Sequence, residues 1–196
     1  MSSLYLDTTN PYTSLRLTTL HLFLVTPLMS MYIRKAELSD GPALESLNKA
    51  AFPSFQQFSK RALLHSLKSP AQEVFVFEIN GNSTIIAGVI YIMKYSKSIR
   101  IVSLATLPSF QNKGIGTHLL KSIYRYARHS NFDRISLEVL SKNSALVEWY
   151  QSKGFAIAAT IKDYYGPRIN AYKMELLIPP ARRSATVTRP FKKSAA

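Results

Sequence analysis

Between residues 31 and 177 the apolar positions follow two rhythms, a period of two and a period near 3.6, and these alternate along the chain. Met31–Ala36 reads as a short strand. Ser39 and Asp40 then offer N-caps, and Pro42 stands in the first turn of a helix predicted to run to about Ala51. Phe52-Pro53 ends that helix, and Ser59 can cap a second one in which Leu63, Leu64 and Leu67 share a face. Val74–Ile79 and Ile85–Met93 are β-rich runs around Asn80-Gly81, a hairpin signal. A further strand spans Ile99–Leu107. Glycines follow it, and then a helix with Leu119, Leu120, Ile123 and Ala127 at helical spacing. Arg134–Leu140 reads as a strand and Asn143–Lys153 as a helix, while Gly154-Phe155 leads into strands near Ala156–Tyr164 and Ala171–Leu177. The predicted order is β-α-α-β-β-β-α-β-α-β-β, one α/β domain without repeats or an internal linker.

Composition narrows this picture. The chain has 196 residues, 46% apolar and 18% charged, as a folded core requires. It has no cysteine, which excludes disulfides, thiolate catalysis and cysteine-bearing zinc sites. His21, His65, His118 and His129 lack metal-ligand spacing, so no metal is expected. No apolar run reaches the roughly 18 residues of a membrane-spanning helix, and no membrane partner is expected.

The net charge of +14 is the extreme value. Residues 31–176 carry 19 basic and 10 acidic side chains, and residues 177–196 carry five basic ones and no acid. Residues 178–196 therefore read as a basic disordered tail, most simply a solvated end, and any direct nucleic-acid contact would be made through it alone. Residues 1–30 read as an upstream extension rather than a targeting signal: the Leu20–Met29 run is broken by His21, Thr26 and Pro27 and has little positive charge ahead of it.

Candidate chemistry concentrates in two stretches. In the first, strand residues Leu104, Ala105 and Thr106 lead through a loop to Gln111-Asn112-Lys113-Gly114-Ile115-Gly116-Thr117 at the start of an amphipathic helix. Glycines allow close backbone approach, and free N–H groups at a helix N-terminus suit a phosphate. The spacing is neither that of a Walker A loop nor the Rossmann fingerprint. The second stretch runs from Leu137-Glu138-Val139 through Asn143 and Tyr150 to Gly154-Phe155. Strand alternation puts Ile135, Leu137 and Val139 on one face and Ser136, Glu138 and Leu140 on the other, so Glu138 can face a cleft.

Gln111-x-x-Gly114-x-Gly116 resembles the acetyl-CoA pyrophosphate loop of the GCN5-related N-acetyltransferase (GNAT) superfamily. The second stretch is similar to that family's L-E-V-x-x-x-N-x-x-A-x-x-x-Y-x-x-x-G-F signature, with Leu146 at the alanine position. The resemblance covers about residues 31–177 and implies the GNAT fold, a mixed, mostly antiparallel sheet of about seven strands flanked by about four helices. Within the family the chain is most similar to N-terminal protein acetyltransferases of the RimI type, on three features. Ala51-Phe52-Pro53 lies between the first two helices, Glu138 and Tyr150 stand twelve residues apart, and Asp163-Tyr164-Tyr165 precedes Ala171-Tyr172-Lys173-Met174. Leu140 and Asn170 depart from the residues common there, an arginine and an aspartate, and Asn112 and Lys113 depart from the common loop residues.

By this resemblance Glu138 is the general base and Tyr150 the general acid. Leu104, Ala105, Thr106, Gln111 to Thr117 and Asn143 bind acetyl-CoA, and Phe52, Pro53, Tyr164 and Tyr165 line the acceptor channel. The roles suit the chemistry. An α-amine with a pKa of about 7.7–8.0 must lose a proton before it attacks a thioester, and a thiol with a pKa near 8.5 leaves best with one. The implied partner is a protein or peptide N-terminus, with a ribosomal protein as one candidate and a cytoplasmic location. Two alternatives stay open: an acetyltransferase acting on lysine side chains or small amines, and a non-catalytic ribosome- or RNA-associated protein. Leu146 is larger than the family's alanine and has the bulk to crowd its helix, but it is not expected to move Tyr150.

Overall fold

The computed structural model describes residues 30–179 apart from Asn82, and the backbone alone of Phe55. The extension and most of the basic tail lie outside these residues. Seven strands form one sheet in the order β1-β2-β3-β4-β5-β7-β6. They are β1 (Ser30–Lys35), β2 (Gln72–Asn80), β3 (Thr84–Lys94), β4 (Ser98–Thr106), β5 (Arg134–Leu140), β6 (Ala156–Ile161) and β7 (Ala171–Leu177). Four α-helices accompany them: α1 (Gly41–Ala51), α2 (Lys60–Lys68), α3 (Ile115–His129) and α4 (Ser144–Gln151). Every strand pair is antiparallel except β4–β5, whose parallel pairing requires the crossover through α3.

The two faces of the sheet bury separate cores. Leu119, Leu120, Ile123 and Ala127 of α3 pack with Val147 and Tyr150 of α4 against Ile90, Ile92, Ile135 and Leu137. On the other face Leu44, Leu47 and Leu63 of α1 and α2 cover Val74, Val76, Val89 and Tyr91. Gly88 of β3 allows the closest of these contacts. A Cβ there would stand 2.6 Å from Ile115 Cγ2 and 3.1 Å from Leu119 Cδ1, nearer than carbon atoms pack. The missing side chain thus seats the first turn of α3 on the sheet.

Ser59 caps α2 by accepting a hydrogen bond from Ala62 N. Asp40 precedes α1 but does not cap it with its side chain. Its carboxylate instead accepts from Glu37 N and from both terminal nitrogens of Arg34, which also reaches Glu78. This nearly buried network pins edge strand β1 to its neighbour and to the loop before α1.

The feature that makes a site is a splay. β4 and β5 pair only from Ser98↔Arg134 to Ile101↔Leu137, yet β4 continues to Thr106 and β5 to Leu140. Val102 sits at a register shift in β4, where Tyr91 pairs with Ser103 and Ile92 with Ile101. A bulge of this kind bends a strand and raises its twist, and here it turns β4 away from β5. A wedge opens between the two strands.

Candidate active site

One side of the wedge is closed by the start of α3. Leu107 N–H donates to Ala87 O, so strand alternation turns Ala105 N–H toward β3 and aims those of Leu104 and Thr106 into the wedge. The chain then makes a short turn. Asn112 and Gly114 adopt left-handed conformations, with φ of 59° and 80°, and the second starts α3. The first intrahelical bond is His118 N–H to Gly114 O, which leaves the N–H groups of Ile115, Gly116 and Thr117 without a helical acceptor. With Trp149, Leu146 and Tyr150 of α4 this backbone encloses a cavity of about 320 Å³. A Cβ at Gly116 would stand 3.7 Å from the Trp149 ring, in the space between helix and indole. Three convergent N–H groups at a helix N-terminus form a cradle for phosphate oxygens.

The other side holds a second cavity, of about 500 Å³, floored by the splayed parts of β4 and β5 and roofed by two loops. The loop between α1 and α2 contributes Phe52, Gln56, Gln57 and Phe58. Buried Asn48 fastens it by accepting from Phe58 N–H and donating to Phe58 O, and Gln57 Nε2 donates to Phe52 O at 2.8 Å. The loop between β6 and β7 contributes Tyr164 and Tyr165, whose rings meet edge to face at 4.8 Å.

Glu138 lies on the floor. Arg100 Nε and Nη2 both approach Glu138 Oε2 at 2.8 Å, and Nη2 donates to Tyr164 Oη at 2.7 Å. One guanidinium therefore joins β4, β5 and the tyrosine loop. Burial works against its charge, but the hydrogen bond and the charge of Glu138 outweigh this, and Arg100 is raised above its ordinary pKa. Tyr165 Oη donates to Glu138 O at 3.3 Å. Burial, then the neighbouring Tyr164 and Glu138, push the Tyr165 phenol up to about 12.

Three residues, Leu104, Leu146 and Tyr150, line both cavities. Tyr150 is 7% exposed, held edge to face by Trp149 at 4.8 Å and Phe155 at 5.6 Å. Burial, with a smaller contribution from Tyr165, drives its phenol well above the ordinary tyrosine value, so it holds its proton throughout the neutral range.

Most of the residues expected from sequence meet here, and several stand elsewhere. Leu104, Thr106, Gln111, Asn112, Gly114, Ile115, Gly116 and Thr117 line the cradle cavity, whereas Ala105 is buried toward α1. Lys113 does not line it; its ammonium sits 5.0 Å from the Phe110 ring centroid. Asn143 lines the second cavity, with its Oδ1 engaged in capping α4 through Leu146 N–H. Phe52 lines the second cavity and Pro53 lines neither. Tyr164 belongs to a loop, not a strand. β6 ends at Ile161, and left-handed Asp163 turns the chain while its carboxylate accepts from Arg168 N–H. Leu146 does not crowd its helix; it is 38% exposed and faces the seam between the cavities. Arg100, Trp149, Phe58 and Gly88 contribute without any signal in the linear sequence.

Residues 41–155 match the acetyltransferase (GNAT) family. The chain belongs to that family. It is 27% identical over 157 residues to an N-alpha-acetyltransferase of Sulfurisphaera tokodaii, covering 72% of this chain and 90% of the relative. The fold is also that of the ribosomal-protein-S18-alanine N-acetyltransferase from Escherichia coli, with a TM-score of 0.69 at 22% identity over 79% of this chain and 98% of the other. Arabidopsis thaliana NAA60, solved in complex with acetyl-CoA, superposes with a TM-score of 0.66 at 15% identity, covering 76% and 99%. The protein is thus a GNAT acetyltransferase, an enzyme of acetyl transfer, and GNAT acetyltransferases use acetyl-CoA. The amide cradle of this acetyltransferase fits such a cosubstrate, since the N–H groups of Ile115, Gly116 and Thr117 have no helical acceptor at the mouth of the cavity they line. Among the described residues there is no group of three potential metal ligands, and no helix is long and apolar enough to cross a membrane.

Proposed function

We propose that this acetyltransferase modifies the N-terminal α-amino group of a protein, by direct attack of that amine. The observation that carries the reading is the seam: Tyr150 borders both cavities, while Glu138 lies only on the side away from the amide cradle. The acetyl donor enters from the cradle side and the amine from the Glu138 side. Kinship with proteins named N-alpha-acetyltransferase supports an α-amine as the acceptor.

Acetyl-CoA supplies an activated thioester. The N–H groups of Ile115, Gly116 and Thr117, with Gln111 and Asn112 beside them, hold its phosphates. The free N–H groups of Leu104 and Thr106 bond its extended arm along β4 and face the place where negative charge develops on oxygen. Phe52, Tyr164 and Tyr165 enclose the acceptor's first residue. Glu138 takes a proton from the amine; Arg100 engages only Oε2, so Oε1 remains for this. Tyr150, protonated through the neutral range, gives its proton toward the departing sulfur.

The test is mass spectrometry of a peptide library carrying varied first residues, internal lysines and ribosomal-protein N-termini, incubated with acetyl-CoA. Acetylation is expected at α-amines, and loss of general acid–base help should lower kcat by about 10²–10⁴-fold in Glu138→Gln and Tyr150→Phe. Acetylation confined to lysine side chains, or unchanged turnover in both variants, refutes it.

A further inference from the structure

Beyond Glu138 the floor of the acceptor cavity does not end. The same face of the sheet continues as an open trough of about 420 Å³ along β4, β5 and β7, sharing Arg100 and Glu138 with that cavity. Strand pairing sets Ser136 opposite Arg100 and Glu175, and Lys173 opposite Glu138, so all of them project from one face. Among the described residues no α-helix lines this stretch. Its charges are not balanced. Arg100 is engaged by Glu138, and Lys173 by Glu175 at 2.9 Å, while Arg134 has no salt-bridge partner among the described residues.

We propose that the trough receives the acceptor polypeptide downstream of its amine and selects acidic side chains near its third to fifth residues. The inference rests on the α-amine reading above, because it needs the chain's first residue at Glu138. An extended peptide advances about 3.3 Å per residue, and so does β5, so the four residues from Glu138 to Arg134 correspond to about 13 Å and to the acceptor's fifth residue. Strand alternation then turns the first, third and fifth side chains to the same side. The continuity with the acceptor cavity favours a polypeptide over a nucleic acid, and the unmatched guanidinium favours carboxylates.

Two readouts on the full chain test this. Binding is measured by fluorescence anisotropy with C-terminally labelled heptapeptides that share their first two residues and carry glutamate, serine or lysine at residues three to five. Acetylation of the same peptides is followed in parallel. Glutamate peptides are expected to bind about two- to fivefold tighter than serine peptides, the range for one exposed ion pair, with lysine peptides weakest. The advantage should vanish in 0.5 M salt and reverse in Arg134→Glu. Equal affinity of the glutamate and serine peptides, or an advantage that persists in Arg134→Glu, overturns the proposal. If α-amines are acetylated but the charge ranking is absent, only this proposal fails; if no α-amine is acetylated, the α-amine reading fails and the proposal falls with it.

Discussion

Replacing Gly88 by alanine isolates the contact that positions the phosphate cradle. Its φ lies outside the left-handed region, so alanine fits the backbone and the perturbation is steric. The new Cβ would meet Ile115 Cγ2 at 2.6 Å, Leu119 Cδ1 at 3.1 Å and Ala105 O at 3.3 Å, against an ordinary carbon–carbon contact of about 3.5–4.0 Å. Neither side chain can swing aside, since Ile115 is 4% and Leu119 0% exposed. Overpacking of this size costs about 1–3 kcal/mol, offset by about 0.4–1 kcal/mol from the stiffer unfolded chain, which leaves about 1–2 kcal/mol of destabilisation. Relief comes by lifting the first turn of α3, which carries the N–H groups of Ile115, Gly116 and Thr117. Loss of one hydrogen bond to a charged phosphate is worth about 1.5–3 kcal/mol, so acetyl-CoA should bind at least about tenfold more weakly. Titration calorimetry with acetyl-CoA and urea unfolding measure the two effects separately. Ile115→Leu keeps the side-chain volume but removes the branch at Cβ, so Gly88→Ala/Ile115→Leu should recover part of both losses in a double-mutant cycle. A Gly88→Ala protein of reduced stability that binds acetyl-CoA as tightly as before refutes the link between this contact and the cradle.

Three further outcomes are expected. The pH profile of kcat/KM should rise through the amine's pKa of about 7.7–8.0 and show no falling limb below about pH 10, because burial holds the Tyr150 phenol above its ordinary value; a descending limb below pH 10 that disappears in Tyr150→Phe contradicts this. Arg100→Met removes the group holding Glu138 and Tyr164 together and should lower kcat/KM by about five- to 100-fold, with Arg100→Lys intermediate; equal rates in all three proteins exclude a positioning role. Asn48→Ala strips two hydrogen bonds from Phe58 at a buried site and should cost about 1–3 kcal/mol in urea unfolding while raising KM for peptide more than for acetyl-CoA, and an unaltered peptide KM rules out loop control by Asn48.

The parts of the site legible from sequence are those written in contiguous residues. The turn from Gln111 to Thr117 and the run from Leu137 to Phe155 each carry their chemistry within one strand–loop–helix passage, where spacing alone brings groups together. Arg100 is invisible to such reading because it meets Glu138 through the parallel pairing of β4 with β5, 38 residues away in the chain. Gly88 looks like a weak point in an otherwise apolar strand until α3 is seen above it. Tyr164 was expected at a strand end because its β-propensity masks the left-handed turn at Asp163. Asn143 illustrates competition between uses of one group: its amide oxygen caps α4, and its side chain borders the acceptor cavity rather than the phosphate cradle.

The three residues common to both cavities have a thermodynamic consequence. Leu104, Leu146 and Tyr150 are a party wall, so a molecule that stiffens it from one side changes the surface met from the other. Coupling between two ligands is reciprocal: whatever factor acetyl-CoA contributes to acceptor affinity, the acceptor contributes to acetyl-CoA affinity. Cooperativity between the substrates, and with it the order in which they add, is therefore decided by the packing of one leucine pair and one tyrosine.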